Sequence, residues 1–183
     1  MRISRRWFPL LVGAAAGVLV MISGSLSSPV AVAGPTSAVA DDQATLVEDF
    51  SYPGAAQIKN EYGVVLTSGD GHILFADCAT DQGLGKGLLQ VYTTEFIGAN
   101  GEGMLCFKVT ASAGYLNLLV PAVYEIRGDG SSSEQGHKVK ADLTTDSGEH
   151  STVEVRPIGS TPVGIGDDPN NAPTTLLRLE SHA

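Results

Sequence analysis

The chain is poor in cysteine, aromatic residues and positive charge. Its 183 residues include 2 Cys, 1 Trp and 11 Lys+Arg against 20 Asp+Glu. The shortage of bases, a formal net charge of −9, makes a surface that repels nucleic acid and anionic membranes. Cys78 and Cys106 are too far apart for the closely spaced ligand pairs of a structural zinc site. The four histidines, His72, His137, His150 and His182, are never three to five residues apart, which excludes a zinc-binding helix signature. Neither a G-x-S-x-G nucleophile elbow nor a phosphate-binding glycine loop ending in Lys and Ser/Thr occurs beyond the N-terminal region. What remains is ordinary: 43% hydrophobic and 17% charged, unlike a disordered or collagen-like chain.

The N-terminus reads as a secretory signal peptide over residues 1–33. Arg2, Arg5 and Arg6 form a basic head without an acid, and an apolar run follows from Leu10 to Ile22. Ala31-Val32-Ala33 is a small-x-small exit. That run is shorter than the roughly 20 residues a membrane span needs, so the mature chain is expected to carry no membrane span. Ala38-Val39-Ala40 offers a second cleavage site. Ser4-Arg5-Arg6-Trp7-Phe8 resembles a twin-arginine export signal, a type that implies export of folded protein, although Pro9 departs from its pattern. Cleavage after Ala33 leaves eight bases against 20 acids, a formal charge of −12. In an exported chain Cys78 and Cys106 are expected to form one disulfide.

Residues 34–50 read as a flexible lead-in and 51–183 as a single domain. Pro53 suits a first helical position and Gly63 a C-terminal cap, which places a short helix at Pro53–Tyr62. Beyond Gly63 the pattern is nine or ten short strands between turn signals. Leu105, Phe107 and Val109 alternate with Met104, Cys106 and Lys108. Val139, Ala141 and Leu143 alternate with Lys138, Lys140 and Asp142, the signature of a half-buried antiparallel strand. Pro121 is expected to divide Tyr115–Val120 from Val123–Arg127, and Leu177 and Leu179 to point inward from a closing strand. The expectation is an all-β fold, an antiparallel β-sandwich of jelly-roll or Ig-like type, with one short N-terminal helix.

Several residue groups invite a chemical reading. Asp70 and His72 share a face if they lie on a strand, but Gly69-Asp70-Gly71 also supplies a β-turn, the preferred reading. Asp167, Asp168, Asn170 and Asn171 carry the oxygen donors that calcium takes, without the spacing of a known calcium loop; a solvated connection is preferred. Arg127-Gly128-Asp129 spells the adhesion tripeptide at a place where a strand must turn. Tyr92, Tyr115 and Tyr124 are the candidate sugar platforms, since the single Trp, Trp7, lies in the leader.

Gly69-Asp70-Gly71-His72-Ile73-Leu74 through Cys78, then Cys106-Phe107-Lys108-Val109, Gly114-Tyr115-Leu116 and Thr174-Thr175-Leu176-Leu177 together resemble small secreted bacterial β-domains of unassigned function. The resemblance implies a disulfide-linked β domain and carries over no active-site residue. The sequence assigns no catalytic, cofactor-binding or metal-binding residue. It points to a secreted, non-catalytic binding or envelope-associated module for an extracellular or cell-envelope ligand. Recognition is expected in the loops Asp81–Gly87, Gly98–Gly103, Gly128–Gly136 and Gly164–Pro173. A small hydrolase built from distant residues and a protease-inhibitor-like protein are the alternatives.

Overall fold

The computed structural model describes residues 50–79 and 83–183. The expected leader, the lead-in up to residue 49 and the first two residues of the Asp81–Gly87 loop lie outside these. Helix α1 (Ala55–Tyr62) ends as expected, with Gly63 left-handed and its N–H donating to the Lys59 carbonyl. It starts later than Pro53 because Gly54, at φ 71°, turns the chain before the helix begins.

Nine strands follow: β1 (Val65–Gly69), β2 (Ile73–Ala76), β3 (Leu89–Thr93), β4 (Met104–Val109), β5 (Gly114–Arg127), β6 (Lys138–Thr145), β7 (His150–Val155), β8 (Ser160–Pro162) and β9 (Thr174–His182). All pairings between them are antiparallel. The sheet order is β2-β4-β3-β5-β9-β6-β7, with β1 and β8 also paired to β5. The all-β expectation therefore holds, as one hydrogen-bonded open sheet accompanied by one short helix.

Strand β5 is the pivot. Its first half lies between β1 and β9, and its second half between β3 and β8. Contrary to the sequence expectation, Pro121 does not end it. The register with β9 slips between Asn117 and Val120 and again between Val120 and Val123, and Ala122 sits at φ 50°. Pro121 thus occupies an interruption in the ladder, where a missing N–H costs little, and the irregularity bends the strand. Its carbonyl accepts the Thr93 hydroxyl at 2.5 Å.

One apolar cluster draws residues from both arms of the bent sheet: Phe107, Leu89 and Ile73 from one, Leu116, Val139, Leu143 and Leu179 from the other. Val139, Ala141 and Leu143 are buried, as their alternation predicts. β9 departs from its pattern. Leu176 and Leu179 are buried while Leu177 is only half-buried. The pairing with β6 steps from Asp142↔Arg178 to Leu143↔Leu176, leaving Leu177 as the extra residue of a bulge, and a one-residue insertion swaps the inward set. β4 is covered on both faces. Leu105, Phe107 and Val109 enter the main core, whereas Met104 and Cys106 pack with Cys78 and Leu88 on the other side. Cys78 and Cys106 form the expected disulfide, with Cα atoms 5.2 Å apart. Among the described residues, no helix is long and apolar enough to cross a membrane.

Candidate functional site

A cleft of about 410 Å³ opens between β6, β7 and the loop that leads to β9. Its floor is apolar, made by Leu143 of β6, Val153 of β7 and Val163. Its rim is polar: Thr145, Ser151, Glu149, Asp167 and Asn171. Among the described residues, no Lys or Arg lines it. Apolar floors with a few convergent polar groups are the usual form of a ligand site.

The loop over this cleft is built by its own side chains. Gly164 starts a one-turn helix over Gly164–Gly166, and a Cβ on Gly166 would collide with the Tyr124 carbonyl oxygen. The Asp168 carboxylate accepts both the Asn170 N–H and the Asn170 side-chain amide at 2.9 Å, an Asx turn. Asn171 donates its N–H to the Asp168 carbonyl and its side-chain amide to the Gly164 carbonyl at 3.2 Å. Three of the four residues weighed for calcium are thus occupied in stitching the loop, and only Asp167 and Asn171 line the cleft. Among the described residues, no group of three or more His, Cys, Asp or Glu side chains stands ready for a metal ion. Comparison with protein-family models found no match, and neither did comparison with curated proteins.

The other candidates resolve differently. Asp70 accepts the backbone N–H groups of His72 and Tyr115, each at 3.1 Å, while the His72 ring stays 3.6 Å away. Asp70 therefore caps the turn between β1 and β2, as preferred from the sequence. In Arg127-Gly128-Asp129 the acid is turned inward. The Asp129 side chain is only 7% exposed and accepts the His137 N–H at 2.8 Å and pairs with the His137 ring Nδ1 at 2.6 Å. An adhesion motif needs that carboxylate outside. This Asp-His pair escaped the sequence reading because it closes a loop across eight positions. Both of its oxygens are spent on closing the loop.

The tyrosines do not form one row. Tyr92 and Tyr124 are neighbours, with centroids 6.2 Å apart, but the Arg127 guanidinium lies 5.1 Å from the Tyr92 centroid. Tyr115 sits elsewhere, with Arg178 at 4.5 Å from its centroid. These cation-π contacts occupy faces a sugar would stack on. Burial raises the Tyr92 hydroxyl pKa, and the nearby Arg127 charge works in the opposite direction.

A second cavity, of about 440 Å³, lies at the disulfide end, where Cys78, Met104 and Leu84 meet Glu61, Asp77 and Glu102. Phe96, three residues before Ala99 of its lining, stands 91% exposed. The Ile97 N–H donates to the Glu95 carbonyl at 2.9 Å, a γ-turn centred on Phe96. A protease takes its substrate or a substrate-like inhibitor as an extended strand, and this turn does not offer one.

On the outer face of β6, β7 and β9, Glu154 accepts from His182 at 2.9 Å and pairs with Lys140 at 3.5 Å. The His182 hydrogen bond, more than the Lys140 charge, lowers the Glu154 pKa. A depressed carboxylate contributes stability above its unfolded pKa and loses it as pH falls through the folded value. Carbon-detected NMR titration should find Glu154 ionising below the ordinary glutamate range, and His182→Ala should bring it most of the way back.

Proposed function

We propose that the chain is an exported, non-catalytic binding module that receives an extracellular or cell-envelope ligand in the cleft beneath the loop 164–173. The observation that carries this reading is the cleft itself: an apolar floor on two adjacent strands under a polar, internally braced loop. Such a loop is held in shape before a ligand arrives, so little ordering entropy is lost on binding. The bent sheet functions in this reading as a two-layered sandwich, supported by the single core that its two arms share. The basic head, short apolar run and Ala31-Val32-Ala33 support export, and a formally acidic surface suits a protein that must remain dispersed outside the cell.

The test uses the chain expressed with its leader and recovered from the medium, where it should begin at Gly34 or Asp41. Calorimetry against cell-envelope polysaccharides and against peptides should find one class that binds. Ala172→Trp, an exposed substitution at the cleft mouth, should weaken that binding about tenfold or more without lowering Tm. Retention in the cell overturns the export part. Binding by neither class, or binding indifferent to Ala172→Trp, overturns the cleft.

A further inference from the structure

Three edges of the sheet are guarded. At β1, Ser51 bridges to Ser68, and Tyr52 N–H donates to the Thr67 carbonyl at 3.1 Å. At the end strand β2, the Phe75 N–H is taken by the Tyr52 hydroxyl at 2.7 Å. β8 is three residues long and ends in Pro162. Natural sheets blunt their edges by such coverage, shortness or proline. β7 is not guarded. It ends the sheet order, runs six residues without Lys or Pro, and pairs with β6 in unbroken register from Val139↔Val155 to Thr144↔His150. Among the described residues no strand pairs with its outer edge.

The ladder tells which backbone groups face that edge. Just before β7, the Thr145 N–H donates to the Glu149 carbonyl at 2.9 Å. Antiparallel pairs alternate between those that exchange hydrogen bonds and those that do not. Ser151, Val153 and Val155 therefore bond to β6, and His150, Thr152 and Glu154 point their N–H and C=O groups outward. All three residues are exposed, and among the described residues nothing meets those groups.

This row is complementary to itself. Two copies of β7 laid antiparallel about a two-fold axis through Thr152 bring Thr152 opposite Thr152, and His150 of each copy opposite Glu154 of the other. Every outward N–H and C=O of both strands then has a partner. Thr opposite Thr and His opposite Glu are both favourable cross-strand pairs. Glu154 already holds Lys140 and His182, but both approach from the side of β6 and β9. Its side chain is 62% exposed, and a carboxylate has further acceptor sites for a third donor arriving across the free edge. Arg156, which follows β7, comes opposite Gly148, which carries no charge. Glu149 comes opposite Val155 of the other copy, so the two Glu149 residues stand about 20 Å apart along the strands, beyond a Debye length at physiological salt. A shift by two residues spoils the match. One direction sets Glu154 opposite Gly148; the other sets His150 opposite Arg156, whose N–H is already given to the Thr161 hydroxyl at 2.9 Å.

We infer that β7 pairs with β7 of a second copy of this chain, antiparallel and centred on Thr152. Two sheets become one, and Ser151 of each copy meets Val153 of the other. Since both residues line the cleft, the two clefts open side by side on one face of the dimer. The pairing goes beyond the binding reading and does not depend on what the cleft holds.

Sedimentation equilibrium of the full chain between about 10 μM and about 1 mM should show monomer passing to dimer and no further, because a two-fold pairing closes on itself. Over that range the His150, Thr152 and Glu154 amides should slow in hydrogen exchange about tenfold or more. Thr152→Lys sets two like charges across the axis at an exposed edge position, and should weaken association about tenfold or more with the monomer's Tm retained. Under mild oxidation Thr152→Cys should cross-link to itself about tenfold or more faster than Glu154→Cys, since the Cα atoms paired at the axis are about 5.5 Å apart and those of the two Glu154 positions about 14 Å. That comparison decides the register even if Thr152→Lys fails to fold. A chain monomeric to about 1 mM, a folded Thr152→Lys variant that still dimerises, or equal cross-linking of the two cysteine variants overturns the inference. Protection of β7 by acetyl-Thr-Val-Thr-Val-Thr-Val-amide without self-association gives the edge to a different chain and overturns it too. Ligand binding in the cleft of a strict monomer would sink the dimer and leave the binding reading standing.

Discussion

Phe107→Ala is expected to cost about 3–5 kcal/mol of unfolding free energy, the largest effect of any single truncation among the described residues. Phe107 is fully buried at the centre of β4, paired on one side with β2 and on the other with β3. Its ring meets Phe75 edge-on at 5.8 Å, and Phe75 meets Tyr62 of α1 at 4.9 Å. Truncation therefore removes three things at once: the transfer free energy of the ring, the packing of the walls left around the void, and one member of an aromatic chain that ties the helix to the sheet. α1 has no fully buried residue of its own. Its attachment depends on such contacts, since a helix of eight residues has little intrinsic stability. Urea titration should show a lower midpoint with an unchanged slope, and amide exchange in α1 should accelerate more than in β6. Phe107→Leu, which keeps most of the volume, should cost about 1–2 kcal/mol. A Phe107→Ala loss below about 1 kcal/mol, or equal acceleration everywhere, would show that the aromatic chain does not anchor the helix.

How legible the fold is in the sequence depends on what each strand has to satisfy. β6 could be read because one of its faces is dry and the other wet, which writes a period of two directly into Lys138–Leu143. β4 could be placed but not fully interpreted. Its second set, Met104 and Cys106, is also buried, against a cluster assembled by residues 16 or more positions earlier. The two failures within strands, at Pro121 and Leu177, share a cause. Each sits at a bulge, and a bulge exists only relative to the neighbouring strand, so a single segment holds no record of it. The candidate site divides the same way. Its loop was legible from Gly164 to Pro173, because Gly, Asp, Asn and Pro write turns locally. Its floor was not, because Leu143 and Val153 look like any other inward strand residues until topology brings them under that loop. The exposed edge of β7 is a property of sheet order, and the sequence carries only its absence of protective Lys and Pro.

Replacing both cysteines by serine is expected to cost about 3–4 kcal/mol, from the chain entropy released when a loop of this length is no longer closed. The bridge joins two positions of unequal rigidity. Cys106 lies within β4, paired to both Ala76 and Gln90. Cys78 follows the end of β2, at the start of the long connection to β3. Among its described residues that connection is tied by Gly85 N–H to the Cys78 carbonyl, Lys86 N–H to the Gly83 carbonyl, Leu88 N–H to the Gly85 carbonyl and the Gln90 amide to the Gly85 carbonyl, contacts that reach no further than Gln90 at the start of β3. Loss of the bridge should therefore appear twice: as a lower urea midpoint for the whole domain, and as faster exchange confined to residues 83–88 in the still-folded state. Both sulfurs are shielded, with Cys78 3% and Cys106 0% exposed. A thiol reductant at neutral pH should thus attack only molecules that have opened, and the reduction rate should rise with urea in step with unfolding. Rapid reduction in the absence of urea would mean that the connection opens on its own. The disulfide would then close a mobile flap over the 440 Å³ cavity instead of bracing a fixed wall. A double serine variant as stable as the native chain would remove the bridge from the folding balance altogether.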